Sequence, residues 1–412
     1  MGGKGDHRSI AQRSGAEPGF GRLGAQQEPV GDLDWIPSTY ARPIKRFIEA
    51  GALAWVRGLD EQDPAEYDWV TSLELCSLVT GQASRWRRAA RAGGARRPLQ
   101  AVITWENLPD QPLYKVPPYR QALNSCRDAD LLLCMGNCPV PRAVIEAAPR
   151  LRAIVSAVTG VDGLDVAAST DHGVVVANAQ TEENVIGMAE ATVVMILGAL
   201  YDFNGTQELI RKFLPRPDPL RARQLRGKTL GFVGLGKIGR ETARLLAPFG
   251  ATMQYTARRD ADLAGLPPMQ RVPLDQLLRS SDVVVVLASL NDETRGLLNA
   301  ARLALMKPTA ILINMARGGI VDEPALIAAL KSHVIAGAAI DVFAVEPLPA
   351  DSPLRDLPNV ILTPHMIGHT YEAHHSLEVA TRENLDRILA NQVPRYVVNP
   401  AVLPMWTKKW GT

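Results

Sequence analysis

Short apolar runs separated by amphipathic stretches dominate the chain from residue 99 onwards, and this pattern predicts alternating strands and helices. Four of the runs are bounded by polar or glycine-rich turns, as buried parallel strands are. These predicted strands cover residues 100–105, 130–135, 152–156 and 173–178. The predicted helices cover residues 141–151 and the long apolar segment 184–203. Strands that alternate with helices in this way indicate a parallel sheet with crossover helices.

The alternation repeats from residue 228 and predicts a second sheet of six strands. These strands cover residues 229–233, 251–256, 283–287, 310–314, 335–341 and 359–363. Six strands with intervening helices are typical of the doubly wound dinucleotide fold. A last helix, over about residues 371–390, is predicted to leave this unit and to pack back on the first.

These elements predict an α/β chain with two doubly wound parallel-sheet (Rossmann-like) domains around a cleft. Residues 99–203 and 364–400 form the predicted substrate domain, which is flavodoxin-like, and residues 204–363 form the predicted dinucleotide-binding Rossmann domain. Residues 1–98 are a predicted N-terminal extension with a disordered start and a helical remainder. Residues 401–412 are a tail that is predicted to pack on the surface, with coverage of the cleft or of a neighbouring subunit as the alternative.

The second unit begins with three glycines in the order G-x-G-x-x-G, between its first strand and its first helix. Gly234 permits a tight turn, Gly236 leaves room for a pyrophosphate, and Gly239 lets helix and strand pack closely. The free N–H groups at the start of the helix, near Lys237 and Ile238, attract the anion. The pattern therefore predicts a dinucleotide site that includes these five residues.

Composition narrows the class of protein. The chain has 412 residues, a net charge of +2 and four cysteines without paired C-x-x-C spacing. This near-neutral charge predicts no nucleic-acid or membrane partner, and the cysteine usage predicts a cytoplasmic location. The N-terminus lacks the apolar core of a secretory signal. The apolar run 185–201 contains Glu190 and is about one turn too short to span a bilayer comfortably, so we interpret it as a buried helix.

Ligands of a parallel α/β sheet bind beyond the carboxyl ends of its strands, and three candidate residues follow successive predicted strands there. They are Arg317, Glu346 and His365. Arg317 can bind a carboxylate with its fork of donors and polarise the adjacent carbonyl. His365 can give or take a proton, and Glu346 would orient the imidazole and favour its protonated form. Together they suit hydride transfer between a nicotinamide and a 2-oxo acid.

Four motifs of the chain resemble the D-isomer-specific 2-hydroxyacid dehydrogenase family. They are the glycine turn and the stretches INMARGGIVDEPAL (313–326), AAIDVFAVEPLP (338–349) and NVILTPHMIG (359–368). They occur in family order, and the resemblance covers roughly residues 99–395. It implies an NAD(P)-dependent enzyme that reduces a small 2-oxo acid to a D-2-hydroxy acid. It also implies a homodimer formed through the cofactor domains.

The resemblance assigns roles to individual residues. Arg317 becomes the substrate-binding arginine, His365 the acid/base and Glu346 its partner. Asp341 and Ala316 are assigned to the cofactor. The stretch TGVDGLD (159–165) is also family-like, and in it Thr159 is assigned to cofactor and substrate and Gly160 to the substrate. Gly136 is assigned to the substrate as well.

The end of the second strand of the dinucleotide unit bears on the choice of nicotinamide. An NAD site usually has an acidic residue there, which binds the ribose 2′-hydroxyl. The chain instead has Thr256, Arg258 and Arg259, which suit a 2′-phosphate. The sequence therefore favours NADP, with NAD as the alternative.

Several features depart from the family pattern. Residues 287–289 read Leu-Ala-Ser where the family commonly has His-x-Pro, and His369 stands where family members usually carry a small residue. His365, His369, His374 and His375 crowd together, which raises a metal site as an alternative. His374 and His375 are adjacent on a predicted helix and point to different faces, so we predict no metal.

Two other functions remain open. One is a non-catalytic NAD(P)-binding sensor or corepressor-like relative, which would need none of Arg317, Glu346 and His365. The other is a dehydrogenase of another small anion, such as formate or phosphite, which would need a pocket too small for a carbon side chain.

Overall fold

The computed structural model describes residues 101–104, 126–127, 129–134 and 138–411, and it contains two parallel sheets flanked by helices. The predictions for residues 1–98 lie outside the described residues. The first sheet contains Ala101–Thr104 (β1), Leu131–Cys134 (β2), Ala153–Ser156 (β3) and Val175–Ala177 (β4). The four strands are parallel and lie in the order β1-β2-β3-β4. Two crossover helices follow β2 and β3, namely Arg142–Glu146 (α1) and Val166–Asp171 (α2).

The second sheet has seven parallel strands. They are Thr229–Val233 (β5), Thr252–Thr256 (β6), Met269–Arg271 (β7), Val283–Val286 (β8), Ile311–Asn314 (β9), Gly337–Ile340 (β10) and Val360–Leu362 (β11). Their order is β11-β10-β9-β8-β5-β6-β7, so the winding reverses between β5 and β8. A reversal of this kind opens a crevice at the carboxyl ends of the two strands. The predicted fold class, with two Rossmann-like parallel sheets, is confirmed.

The prediction of six strands for the second sheet is wrong by one. The missed strand, β7, has the sequence Met-Gln-Arg, lies at the sheet edge and exposes Gln270 and Arg271. An edge strand with exposed polar side chains shows neither the apolar run nor the alternation that marks a strand. The sequence of β7 therefore carries no pattern that predicts a strand.

Two predicted helices also differ from the structure. The helix predicted over 141–151 is α1, which ends at Glu146 because Pro149 disfavours helical backbone at the residue before it. The long helix begins earlier than predicted, as Glu182–Leu200 (α3), because the hydroxyl of Thr181 accepts a hydrogen bond from Asn184 N and caps it. A separate helix, Phe203–Arg211 (α4), follows. The helices between the strands of the second sheet are Lys237–Leu246 (α5), Leu274–Ser280 (α6), Ala300–Leu303 (α7) and Glu323–Lys331 (α8).

Helix α3 links the two halves of the chain. Within the described residues it is one helix with the length and hydropathy of a membrane span. It nevertheless contacts the strands β9 and β10 as well as Lys237–Leu246 (α5) and Tyr371–Leu389 (α9). Its Met195 and Ile196 are fully buried in one core with Phe232 of β5. The burial of these side chains accounts for its apolar character.

The C-terminal residues return to the first sheet. Leu385 and Ile388 of α9 share a core with Val155 of β3 and with Trp406 of the last helix, Leu403–Trp410 (α10). The indole N–H of fully buried Trp406 donates to the carbonyl of Arg152 at 2.8 Å. Since Arg152 directly precedes β3, this anchor lies at the amino end of the strand, away from the carboxyl ends.

Candidate active site

The glycine turn after β5 approaches the loop after β8. Gly234 has a φ of +91°, and a Cβ atom on it would lie 2.7 Å from backbone atoms of Ala288. A Cβ on Gly239 would lie 3.1 Å from the carbonyl oxygen of Gly234. These two glycines are therefore required by the packing of the turn itself.

Gly236 is different, because a Cβ on it would meet no atom within 4 Å. Its φ of −77° is open to any residue, so the protein's own packing does not require a glycine there. Gly236 precedes α5, whose first-turn N–H groups have no intrahelical partner. Open space beside free N–H groups at a helix N-terminus fits the pyrophosphate of a dinucleotide. Lys237 and Ile238, exposed and half-buried respectively, begin the same helix.

The contrast between these glycines gives a prediction. Gly236→Ala is expected to leave the Tm of the cofactor-free protein unchanged and to weaken cofactor binding roughly 10-fold, equal to about 1.4 kcal/mol. Gly234→Ala is the matched control and is expected to destabilise the fold by about 1–3 kcal/mol, because its backbone is left-handed and its surroundings are closed. Thermal unfolding and fluorescence titration with NADPH measure the two effects. A lower Tm for Gly236→Ala would show that the glycine serves packing.

The end of β6 lies beside this turn, since Gly234 N donates to Thr256 O at 2.9 Å. Thr256 is half-buried, and Arg258 and Arg259 are exposed. Arg258 Nη1 lies 3.3 Å from Glu293 Oε2, in an exposed pair that is weak because solvent screens it. Two cations are thus available at the strand end where an NAD site would have a carboxylate.

Arg271 of the missed strand β7 supports this loop. Its Nη2 donates to the carbonyls of Ala257 and Arg258 at 2.7 and 3.2 Å, and its Nη1 pairs with Asp260 at 2.6 Å. Asp260 is thereby paired with Arg271 and stays largely exposed. The pattern of the sequence did not identify Arg271, because its role depends on a strand that has no apolar signature.

His365 and Glu346 are in direct contact. His365 Nδ1 lies 2.7 Å from Glu346 Oε2, and Glu346 Oε1 accepts a hydrogen bond from Phe343 N at 2.9 Å. Burial raises the pKa of the Glu346 carboxyl, but the hydrogen bond and charge of His365, the Phe343 N–H and the charge of Arg317 outweigh it. The net pKa lies below its ordinary value, so Glu346 stays ionised at neutral pH.

Buried Asp341 holds the segment that carries His365. Its Oδ1 accepts from Thr363 Oγ1 at 2.7 Å and from Met366 N at 3.2 Å, on either side of His365. Burial raises the pKa of Asp341 above its ordinary value, and these hydrogen bonds oppose the rise only in part. His365 has a φ of +57°, which a non-glycine residue rarely adopts. The segment is thus fixed in an unusual conformation by a buried carboxylate, while the contact of Asp341 with a nicotinamide amide stays a prediction.

Arg317 is positioned by the loop after β9. Asn314 Oδ1 accepts from Ala316 N, and Asn314 Nδ2 donates to Arg317 O, both at 3.2 Å. A Cβ on Gly318 would lie 1.9 Å from backbone atoms of Phe343, so the loops after β9 and β10 are in tight contact. Arg317 is therefore brought close to Glu346 at the carboxyl ends of the strands, and its charge lowers the pKa of the Glu346 carboxyl.

The first sheet contributes the loop after β3. Thr159 Oγ1 donates to Asn184 Oδ1 at 2.8 Å, and a Cβ on Gly160 would lie 2.6 Å from Arg317 Nη2. Gly160, after β3 of the first sheet, therefore meets Arg317, after β9 of the second sheet, and both positions were assigned to the substrate. The other such position, Gly136, lies outside the described residues.

Arg317 also has a partner that the sequence did not reveal. Its Nε and Nη2 each lie 2.8 Å from Asp162 Oδ2. The pair joins residues 155 positions apart along the chain. A signal was nevertheless present, because an acid follows Gly160 by two residues in a family-like stretch.

The crowded histidines after β11 were the reason to consider a metal site. Among the described residues, no group of three His, Cys, Asp or Glu side chains is arranged to hold a metal ion. His365 pairs with Glu346, and the ring of His375 stacks on Tyr371 with centroids 6.5 Å apart.

Comparison with known proteins identifies the family. Residues 193–367 match the family described as D-isomer specific 2-hydroxyacid dehydrogenase, NAD binding domain. A glyoxylate reductase from Thermofilum pendens is 39% identical over 303 residues, which cover 70% of this chain and 86% of the relative. The chain belongs to the D-isomer-specific 2-hydroxyacid dehydrogenase family. The resemblance stated from the four motifs is confirmed.

Other members of the family vary in length and reaction. A D-3-phosphoglycerate dehydrogenase from Methanocaldococcus jannaschii is 34% identical over 69% of this chain, which matches 54% of that enzyme. The structure of an NADPH-dependent glyoxylate/hydroxypyruvate reductase from Sinorhizobium meliloti, in complex with NADP and malonate, is also similar. It has a TM-score of 0.60 and 28% identity, with 67% of this chain and 85% of that chain covered.

Family membership establishes the general class of the protein. It is an oxidoreductase with a Rossmann-type NAD(P)-binding domain, and the matched segment contains the glycine turn, Arg317, Glu346 and His365. The loop with Gly160 and Asp162 lies outside that segment, in the first sheet's half of the chain.

Proposed function

We propose that the protein is an NADPH-preferring reductase that converts a small 2-oxo acid into the D-2-hydroxy acid. The observation that carries the proposal is the contact of His365 with Glu346 at the carboxyl ends of the strands, where Arg317 also lies. The relatives named as glyoxylate reductases support a small acid as substrate.

The chemistry follows from the donors and acceptors of the three side chains. Arg317 binds the substrate carboxylate and polarises the adjacent carbonyl. Nδ1 of His365 is held by Glu346, so Nε2 is the nitrogen that donates a proton to the forming alkoxide. Ionised Glu346 accepts the hydrogen bond of Nδ1 and fixes the orientation of the ring. When bound, the nicotinamide cofactor supplies the hydride.

The cofactor would be held at the glycine turn and the end of β6. The turn offers N–H groups and open space for the pyrophosphate, and Thr256, Arg258 and Arg259 offer a hydroxyl and two cations for a 2′-phosphate. Ala316, two residues after β9, is buried, and its carbonyl accepts a hydrogen bond from Arg317 Nη1.

The proposed preference for NADPH leads to a prediction at Arg258. Arg258→Ala is expected to weaken NADPH binding roughly 10-fold, because one charge-assisted hydrogen bond to the phosphate is lost. NADH binding is expected to stay nearly constant, because its ribose carries no phosphate at that position. Titration of both cofactors into wild type and variant measures the difference. Equal losses for NADPH and NADH would contradict the phosphate assignment.

The main test is NADPH oxidation with a panel of 2-oxo acids that begins with glyoxylate. Turnover with chiral analysis of the product as the D isomer supports the proposal. Tight NADPH binding without turnover of any acid would instead favour the non-catalytic sensor, and turnover of formate with NADP alone would favour a dehydrogenase of another small anion.

We also propose a homodimer in the cytoplasm. The stretch that runs from the C-terminal half of α3 through α4 to residue 213 exposes several large apolar side chains, namely Val194, Tyr201, Phe203, Ile210 and Phe213. Exposed apolar patches of this kind mark interaction surfaces. Sedimentation equilibrium that returned the mass of a single chain would contradict the dimer.

A further inference from the structure

Arg317, the proposed anchor of the substrate carboxylate, is already bound to a carboxylate of its own chain. Its Nε and Nη2 both lie 2.8 Å from Asp162 Oδ2, and its Nη1 donates to Ala316 O at 2.7 Å. The Nε and Nη2 edge is a fork that guanidinium groups use to bind carboxylates. Both side chains are one-third exposed, so a ligand can reach the pair.

The loop that carries Asp162 is built around this contact. The hydroxyl of fully buried Ser156 lies 2.8 Å from Gly160 O and 3.1 Å from Val158 O, and it ties the loop to the end of β3. A Cβ on Gly160 would lie 2.6 Å from Arg317 Nη2 and 3.2 Å from Asp162 Oδ2. The glycine therefore leaves the space in which the two charged groups meet.

We propose that Asp162 is a specificity-determining residue that restricts the site to acids with a single negative charge. The inference deepens the proposed function and depends on it for the role of Arg317. Asp162 already balances the charge of Arg317, and the charge of Arg317 also acts on ionised Glu346. A monoanionic acid shares this cation with Asp162. A dianionic acid adds a second negative charge beside Asp162, and the repulsion at a few ångströms in a partly desolvated site costs affinity.

The test compares two ligands of the same shape and different charge. Oxamate and oxalate are planar and nearly isosteric, but at pH 7 oxamate has one negative charge and oxalate has two. Both are titrated calorimetrically into the NADP-loaded full chain, as wild type and as Asp162→Asn, which keeps the size of the side chain. The ratio of the oxalate Kd to the oxamate Kd is expected to fall roughly 10-fold in the variant, since the repulsion by Asp162 is removed.

Other outcomes would overturn the inference. If Asp162→Asn weakens both ligands equally, Asp162 only positions Arg317, and if neither Kd changes, it has no role in binding. Asp162→Ser is the second variant, in case the asparagine reorients Arg317. Asp171→Asn is the matched control, because it removes one charge from an exposed pair with Arg142 and must leave the ratio unchanged. The Kd ratio needs no turnover, so a failure of the proposed reaction with 2-oxo acids is seen separately in the NADPH oxidation assay.

Discussion

Replacement of His365 by alanine is expected to lower kcat for 2-oxo acid reduction by about 10²–10⁴-fold, because the forming alkoxide loses its proton donor. The expectation rests on the 2.7 Å contact that holds Nδ1 against Glu346 and leaves Nε2 for the substrate. NADPH binding is expected to stay near the wild-type value. Steady-state kinetics with glyoxylate and a fluorescence titration of NADPH measure the two quantities.

A second variant at position 365 is needed because the backbone of His365 is left-handed. Its φ of +57° is costly for alanine, so His365→Ala alone could lose activity through a displaced loop. Asparagine tolerates this conformation and has no titratable ring, and His365→Asn is therefore expected to show the same loss with an unchanged Tm. His375→Ala is the matched control, since that histidine is exposed and stacks on Tyr371. A kcat for both His365 variants within a factor of a few of wild type would refute the acid/base role.

The second large effect is expected at Arg317. Arg317→Ala is expected to lower kcat/KM for the acid on the order of 10²-fold, because charge-assisted hydrogen bonds to the carboxylate are lost. Arg317→Lys restores the charge without the planar fork, so it is expected to recover only part of the loss. Kinetics with glyoxylate at saturating NADPH measure both variants, and added guanidinium is expected to rescue Arg317→Ala in part.

The carboxylate of Asp162 contributes to the loss of activity expected in Arg317→Ala. In Arg317→Ala the carboxylate of Asp162 loses its partner and repels the incoming acid, so the measured loss contains both effects. The double variant Arg317→Ala with Asp162→Asn removes the repulsion and isolates the loss of the cation. Arg279→Ala, in the last turn of the helix Leu274–Ser280, is the control for loss of an exposed positive charge. Wild-type kcat/KM in Arg317→Ala would contradict the anchoring role.

Much of the fold was predictable because local patterns encode it. Strand β5 has the predicted bounds, and β6 and β8 to β11 lie within a residue or two of theirs, since each is an apolar run between turns. The glycine turn was predictable for the same reason. In contrast, β7 was missed because exposed polar residues at a sheet edge have no period.

The candidate site was predictable only in part. The position of Arg317, Glu346 and His365 after successive strands follows from the order of the elements, because parallel strands present their carboxyl ends at one edge. The support of the cofactor-side loop by Arg271 and the clamp of Asp341 on the His365 segment were not predictable. Both interactions consist of hydrogen bonds between different elements, and the spacing of residues within a single element does not predict them.

The amino-acid sequence by itself determined the two α/β units, the glycine turn and the family, because these depend on residue order and on periodicity within short segments. The tertiary structure alone decided which carboxylate faces Arg317 and which group holds His365 in its left-handed backbone. The physical reason is that a charged side chain binds whichever opposite charge the packing of the two sheets brings within about 3 Å. For Arg317 that residue is Asp162, and it comes from the other sheet.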